Sequence, residues 1–285
     1  MVSKNMNGIG GIVFWQAHRG GGGFERPDNT ILSALYGWDL GGIAELDIRL
    51  TADGQIVCLH DPTLRRTTFA SDDIADLPVT QLRYDQFADL DAGSKFSPEY
   101  KEARIPLLTE VFSFMAQDPR RRAYLDCKNV DLAQLARLIS EYGLDGRLWV
   151  TGPKREDLVE LKKILPSADT MQWLGGSAAD ITAKFEASAA SGFEGLGQIQ
   201  IHLNDKTPSE LEREPGWRYT IRPEYLQSAM ERCAEAGIDF EVLTWKFEES
   251  DIHALLDLGV RWYATDEPAR FQKVVNKWLA SRGLA

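Results

Sequence analysis

The chain has 285 residues, 44% hydrophobic and 26% charged, which suits a water-soluble globular protein with room for one large domain or two small ones. A formal net charge of -11 argues against nucleic acid as a partner and against broad adhesion to anionic membranes, because both present phosphates of the same sign. An anionic substrate would need a local group of Arg, Lys or metal to overcome that repulsion. Cys58, Cys127 and Cys233 match no zinc or redox spacing and read as free thiols in a reducing, cytoplasmic compartment. The early apolar run Ile9 to Trp15 is too short and glycine-rich for an integral membrane segment, and no cleavage site follows it, which leaves open only a leader already removed.

From the N-terminus onward, short apolar runs alternate with helical patterns. The run Ile12–Ala17 leads through Gly20–Gly23 to the pattern Ile31–Leu40, with Asn29 and Thr30 placed to cap it. Ile43–Leu50 follows, then Thr51-Ala52-Asp53-Gly54, then a further run, Gln55–His60. Asp-Gly between two apolar runs is a hairpin signal, so Gln55–His60 reads as an antiparallel return strand on the strand before it. Residues 61–107 show no strong period, only scattered prolines, charges and the aromatics Tyr84, Phe87, Phe96 and Tyr100. They read as an insertion. Helical Glu110–Ala116, after Thr109, leads into Arg122–Cys127. Leu132–Glu141, between Asp131 and Gly143, leads into Arg147–Thr151, and Lys154–Leu165, stopped by Pro166, leads into Asp169–Leu174. Leu196–Ile201, helical Pro223–Ala236, Phe240–Trp245, helical Asp251–Leu258 and Arg261–Thr265 complete the series.

With the return strand set aside, eight strand runs alternate with helices, which predicts an α/β fold, a TIM (β/α)8 barrel. The whole chain, 1–285, then forms a single domain, with the insertion at about 61–107 after barrel strand two and over the mouth. A doubly wound open sheet would need G-x-G-x-x-G spacing after the first strand. Gly20–Gly23 form a run instead, and Phe24–Asp28 separate it from the helix.

Barrel active sites lie at the C-terminal ends of the strands. Those ends here read His18-Arg19, Glu45-Leu46-Asp47, Asp126-Cys127-Lys128 and Thr265-Asp266. Strand side chains alternate faces, so Glu45 and Asp47 point one way, and Asp126 and Lys128 share a face. Three inward carboxylates repel unless a cation joins them. An all-oxygen set suits a hard divalent metal ion, Mg2+ or Ca2+. The hairpin returns His60 over the same mouth as His18. One imidazole can take a proton from the attacking hydroxyl while the other protonates the leaving alkoxide, with metal, Arg19 and Lys128 stabilising the phosphoryl charge. Structural readings compete. Glu45 can pair with Arg49 or Arg19, Asp266 reads as a cap for the following helix, and His202, His253 and Trp173 read as packing or surface residues. Trp245 ends a strand and can line the pocket as an apolar or cation–π wall for a choline-like alcohol.

Taken together, these residues resemble the glycerophosphodiester phosphodiesterase family. His18-Arg19-Gly20 with Pro27-Asp28-Asn29-Thr30 is similar to its first block, and Glu45-Leu46-Asp47, Asp53-Gly54 and His60-Asp61 to its second. Leu125-Asp126-Cys127-Lys128, Trp245 and Gly259 through Thr265-Asp266-Glu267-Pro268 are similar to the later blocks. The resemblance implies a small-molecule phosphodiester substrate, cleaved to glycerol 3-phosphate and an alcohol. It implies His18 and His60 as acid and base, Glu45, Asp47 and Asp126 as metal ligands, and Arg19 and Lys128 as phosphate-binding cations. Asp28 and Asp126 stand where the family usually has Glu, which leaves direct or water-mediated ligation by Asp126 open. The Gly20–Arg26 loop is longer than usual, and reads equally as a backbone approaching phosphate or as a flexible lip.

Two other functions keep the barrel. Lysophospholipids cleaved on the headgroup side of phosphate would call for an apolar rim around Phe87 and Phe96. A non-catalytic phosphate-ester-binding barrel would normally have lost a histidine or a metal carboxylate, and this sequence retains them.

Overall fold

The computed structural model describes residues 8–214 and 216–284. Its strands are β1 (Phe14–Ala17), β2 (Ile43–Leu50), β3 (Ile56–Cys58), β4 (Ala123–Cys127), β5 (Leu148–Gly152), β6 (Asp169–Leu174), β7 (Gln198–Leu203), β8 (Asp239–Thr244) and β9 (Trp262–Thr265). All but β3 pair in parallel, and β1 pairs with both β9 and β2, so the sheet closes into an eight-stranded barrel. The chain folds as the (β/α)8 barrel its alternating runs predict. β3 lies antiparallel on β2, with Ile48 opposite Cys58 and Leu50 opposite Ile56. That is the return strand expected from the Asp53-Gly54 turn, where Gly54 takes φ of 76°.

Parallel strands covered by helices need apolar outer faces. Leu46 and Ile48 of β2 and Leu125 of β4 are fully buried between barrel and helices. The helix Leu108–Gln117 answers with Leu108, Val111, Phe112 and Met115, a one-face spacing. Each such side chain contributes about 1.5–3 kcal/mol by leaving water. This helix begins one residue before Thr109; Glu110 accepts the Leu107 amide at 2.7 Å. Among the described residues, no helix is long and apolar enough to cross a membrane.

Between β3 and that helix, one short helix (Asp72–Ala75) and three 3-10 turns surround a separate apolar cluster that includes Leu59, Leu64, Leu82 and Phe87. Phe87 is therefore an inner residue and not part of a rim. Phe96 is exposed and packs on Tyr100 with centroids 5.6 Å apart. The apolar rim that a lysolipid substrate would call for loses one of its two members.

The barrel interior is layered. At the N-terminal end, Tyr124 stacks on Trp149 and Phe14 on Trp262, each pair with centroids 4.7 Å apart, and Ile43 and Met171 fill the remaining space. Further along the inward faces sits Glu241, fully buried. Its carboxylate accepts from Gln16 Nε2 at 2.6 Å and from Gln198 Nε2 at 2.9 Å. Burial pushes Glu241 up to about 8, against the pull of the Gln16 amide.

A carboxyl whose folded pKa is raised binds more protons folded than unfolded, so its stabilising contribution falls as pH rises between the two values. Between about pH 5 and about pH 8 the native protein is expected to lose on the order of 3 kcal/mol through Glu241. Glu241→Gln should remove that part of the dependence. Melting temperatures of both proteins at the two pH values test this, and an equal decline in both would refute it.

Candidate active site

β1 runs out at Ala17 into a 3-10 turn, His18–Gly20, in which Arg19 takes the left-handed conformation with φ of 52°. A non-glycine residue held there signals constraint from its surroundings. The Arg19 amide donates to Glu45 Oε2 at 2.6 Å, and its carbonyl accepts from the Asn29 amide at 3.0 Å. His18 Nδ1 lies 2.6 Å from Asp266 Oδ1. The carboxylate accepts, so Nδ1 carries the proton, and Nε2 lies 4.0 Å from Glu45 Oε2. Asp266 is thus no helix cap. The closing strand brings it from the far end of the chain to the first histidine. The Gly20–Arg26 loop is anchored by close packing and by hydrogen bonds. A Cβ on Gly22 would fall 2.4 Å from Asp266 Oδ1, so the loop packs directly over this pair. Glu25 fastens the loop by accepting from the Ala269 amide at 3.0 Å and from Tyr36 Oη at 2.7 Å.

Strand parity holds at β2 and β4. Glu45 and Asp47 are buried and face inward, with Leu46 and Ile48 outward. Asn29 straps Asp47: its Oδ1 accepts the Asp47 amide at 2.8 Å and its Nδ2 donates to Asp47 Oδ2 at 2.9 Å. Thr30 alone caps the helix Ile31–Asp39. Carboxylate oxygens of Glu45, Asp47 and Asp126 lie within 4.8 Å of one another. Lys128 Nζ reaches Asp47 Oδ1 at 2.9 Å and Asp126 Oδ2 at 2.7 Å. Trp173 Nε1 donates to Asp126 Oδ1 at 3.2 Å, so packing is not that indole's only task. Arg49 donates to the His60 carbonyl instead of pairing with Glu45.

His60 follows β3 and lines the same cavity as His18, a space of about 470 Å³. Its Nδ1 lies 2.7 Å from Asp61 Oδ1. Trp245 closes the cavity beside His18, edge to face at 5.6 Å. His202, expected to be a packing residue, also lines it, stacked on Trp173 at 5.3 Å and bonded through Nε2 to Gln200 Oε1 at 3.0 Å. Its inward parity with Gln200 was available in the sequence, but no neighbouring motif marked it. His253 lies elsewhere, half-buried, with Nε2 3.2 Å from the Val274 carbonyl.

The electrostatics separate the imidazoles. Burial disfavours charge on His18, but the Asp266 hydrogen bond and the charges of Glu45 and Asp266 outweigh it and hold its pKa above the ordinary value. At His60 burial prevails over the pull of Asp47 and the pKa falls. Burial, helped by the positive charge of His18, Lys128 and Lys184, lowers His202 to about 3, so it stays neutral. Arg19 Nε is buried with no hydrogen-bond acceptor among the described residues.

The profile described as the glycerophosphoryl diester phosphodiesterase family matches residues 18–270. A glycerophosphodiester phosphodiesterase of Caldanaerobacter subterraneus subsp. tengcongensis is 32% identical over 92% of this chain and 97% of its own length. The chain belongs to the glycerophosphoryl diester phosphodiesterase family. It is an enzyme of that class, a phosphoric diester hydrolase acting on glycerophosphodiesters. Human lysophospholipase D GDPD1 is 32% identical over a shorter stretch, 50% of this chain and 46% of its own. A phosphodiesterase of Oleispira antarctica, solved with the product sn-glycerol-3-phosphate, shares the fold with a TM-score of 0.67 at 21% identity, covering 93% of this chain and 97% of its own.

For this family member, the carboxylates themselves test the fit of a divalent cation. Burial and the charge of Asp47 push Glu45 up to about 8. Asp47, though buried, is drawn down to about 2 by Lys128, His60 and Arg19. The protein's own cations hold Asp47 charged, while burial and its neighbour disfavour charge on Glu45. A doubly charged ion among oxygen donors suits such a set. Mg2+ or Ca2+ is expected to raise the melting temperature, and Asp47→Asn to reduce that rise severalfold. Thermal shift with each ion, without substrate, checks this. An equal rise in both proteins would remove the cluster from metal binding.

Proposed function

We propose that this chain hydrolyses glycerophosphodiesters to glycerol 3-phosphate and an alcohol, with His18 as general acid and His60 as general base. One observation carries the assignment: two imidazoles, each tied at Nδ1 to its own carboxylate, line one cavity with the three-carboxylate cluster. The tethers leave each Nε2 free for proton transfer. His60, with its lowered pKa, takes a proton from the attacking water as the water oxygen bonds to phosphorus. The P–O bond to the leaving alcohol breaks, and His18, with its raised pKa, returns a proton to that oxygen. Two groups whose environments push their pKa values apart form such an acid/base pair. Arg19, whose buried Nε makes no hydrogen bond among the described residues and lies 3.6 Å from Asp47 Oδ2, and Lys128 bind phosphoryl oxygens.

Glu45, Asp47 and Asp126 would hold the divalent ion, Mg2+ or Ca2+. When bound, it supplies Lewis-acid stabilisation of the charge on phosphorus-bound oxygens. Trp245 forms the apolar wall beside His18. The free Cys58, Cys127 and Cys233 fit a reducing, cytoplasmic setting. The whole chain acts as one catalytic domain, with residues 61–107 as its insertion.

Lysophospholipid cleavage is the second reading, supported by the partial likeness to the human lysophospholipase D and weakened by the burial of Phe87. Glycerophosphocholine is expected to turn over faster than its lysolipid analogue, and the reverse order would favour the second reading.

His18→Ala and His60→Ala should each lower kcat by about a hundredfold to ten-thousandfold, with melting temperatures near that of the parent. A glycerol 3-phosphate readout measures this, and full activity in both variants would end the proposal. The pH profile of kcat/KM should have its acid limb below the ordinary histidine pKa, where His60 gains a proton. Its basic limb should lie above that value, where His18 loses one.

A further inference from the structure

We propose that Arg66 is a positioning residue that holds His60 and Arg19 in a fixed relation through Asp61 and Asp28. The inference rests on the reading of His60 as general base and Arg19 as phosphate ligand.

Arg66 spans two carboxylates. Its Nε donates to Asp61 Oδ2 at 2.6 Å and its Nη2 to Asp28 Oδ2 at 2.8 Å. Asp61 uses its other oxygen, Oδ1, for His60 Nδ1 at 2.7 Å. Asp28 Oδ2 also lies 3.6 Å from Arg19 Nη1. One guanidinium thus joins the segment carrying His60 to the loop carrying Arg19, two pieces of chain that no strand pairing connects at this point. Asp61 is fully engaged only while Arg66 is present. Without it, the carboxyl group can turn, and the imidazole loses the partner that sets its orientation.

The local chain fixes where Arg66 points. Leu64 is buried in the insertion's own apolar cluster, and the Leu64 carbonyl accepts from the Thr68 amide at 3.0 Å and from Thr68 Oγ1 at 2.9 Å. This turn sends the two adjacent arginines to different targets. Arg65 pairs with Asp72 and Asp76 around the short helix Asp72–Ala75, away from the cavity. Arg66 turns toward His60.

Arg66 is itself 45% exposed, so as a salt bridge it adds little to stability. Asp28 is 8% exposed, and the planar fork is what lets one side chain satisfy two separate carboxylates. A lysine is a point donor and reproduces only part of that geometry. The role is therefore orientation, and misplacement of a reacting group costs rate far more than stability.

The test uses the full chain with Mg2+ and glycerophosphocholine. Arg66→Gln should lower kcat by about tenfold to a hundredfold, with a smaller change in KM and a melting temperature close to that of the parent. Arg66→Lys should recover part of the loss. Arg65→Gln should leave kcat unchanged, separating the site from general effects on the insertion. In a double-mutant cycle, Asp61→Asn with Arg66→Gln should lose less than the product of the two single losses, because both act in part through the same imidazole, and what Arg66→Gln still adds comes through Asp28 and Arg19. Full kcat in Arg66→Gln, or multiplicative losses in the double variant, would overturn the proposal. If His60→Ala is inactive while Arg66→Gln is fully active, only this inference fails. If His60→Ala is fully active, the reading of the site fails with it.

Discussion

Three carboxylates held together inside a barrel mouth set the terms for everything around them. Glu45 and Asp47 project from one strand and Asp126 from the next, with oxygens within 4.8 Å of one another. In water such a group would spread apart. Here the strand pairing of β2 with β4 places Asp47 directly beside Asp126 and forbids it. The neighbours follow from that constraint. Lys128 reaches two of the acids, the Arg19 amide gives Glu45 a hydrogen bond, and Asn29 secures both the backbone and the side chain of Asp47. The left-handed backbone at Arg19 and Asn29 is tolerated because these contacts over-determine it. An arginine held beside a surplus of acid is thus a consequence of the same crowding.

The polar interior continues below the site. Glu241, with Gln16 and Gln198, separates the acidic cluster from the aromatic plug at the N-terminal end. Glu45 adds to the forces that raise Glu241, so the two layers are linked by charge. The insertion, by contrast, has its own apolar cluster. Its link to the barrel site runs through polar contacts around Arg66, Asp28 and Asp61. Such an arrangement leaves one turn of the insertion to set its alignment with His60 and Arg19.

What could be read from the sequence was whatever has a short period. Two-residue alternation gave the faces of Glu45, Asp47, Asp126 and Lys128, and Asp53-Gly54 announced the hairpin that returns His60. The strand runs were placed within a few residues of the observed strands. Longer-range facts were less visible. Asp266 reads locally as a cap because barrel closure sets β9 beside β1 without saying which mouth residue will meet His18. Asn29 sits at a helix start, so its hold on Asp47 was masked by its suitability as a cap. His202 had the parity of a cavity residue but stood outside any block of recognisable chemistry. Phe87 looked available for a rim because an aperiodic segment gives no face to assign. The Gly20–Gly23 run left its purpose open, since the reason for a missing side chain at Gly22 is an oxygen on Asp266.

The pairing of His18 with Asp266 has an implication for biosynthesis. One partner leaves the ribosome near the beginning and the other near the end, 248 positions later. The first strand is made long before the carboxylate that its histidine meets. The proposed acid is complete only when β9 docks on β1 and the ring is shut. The His18–Asp266 pair is in this sense a clasp: the oriented imidazole that the proposed acid needs exists only once the ring is closed.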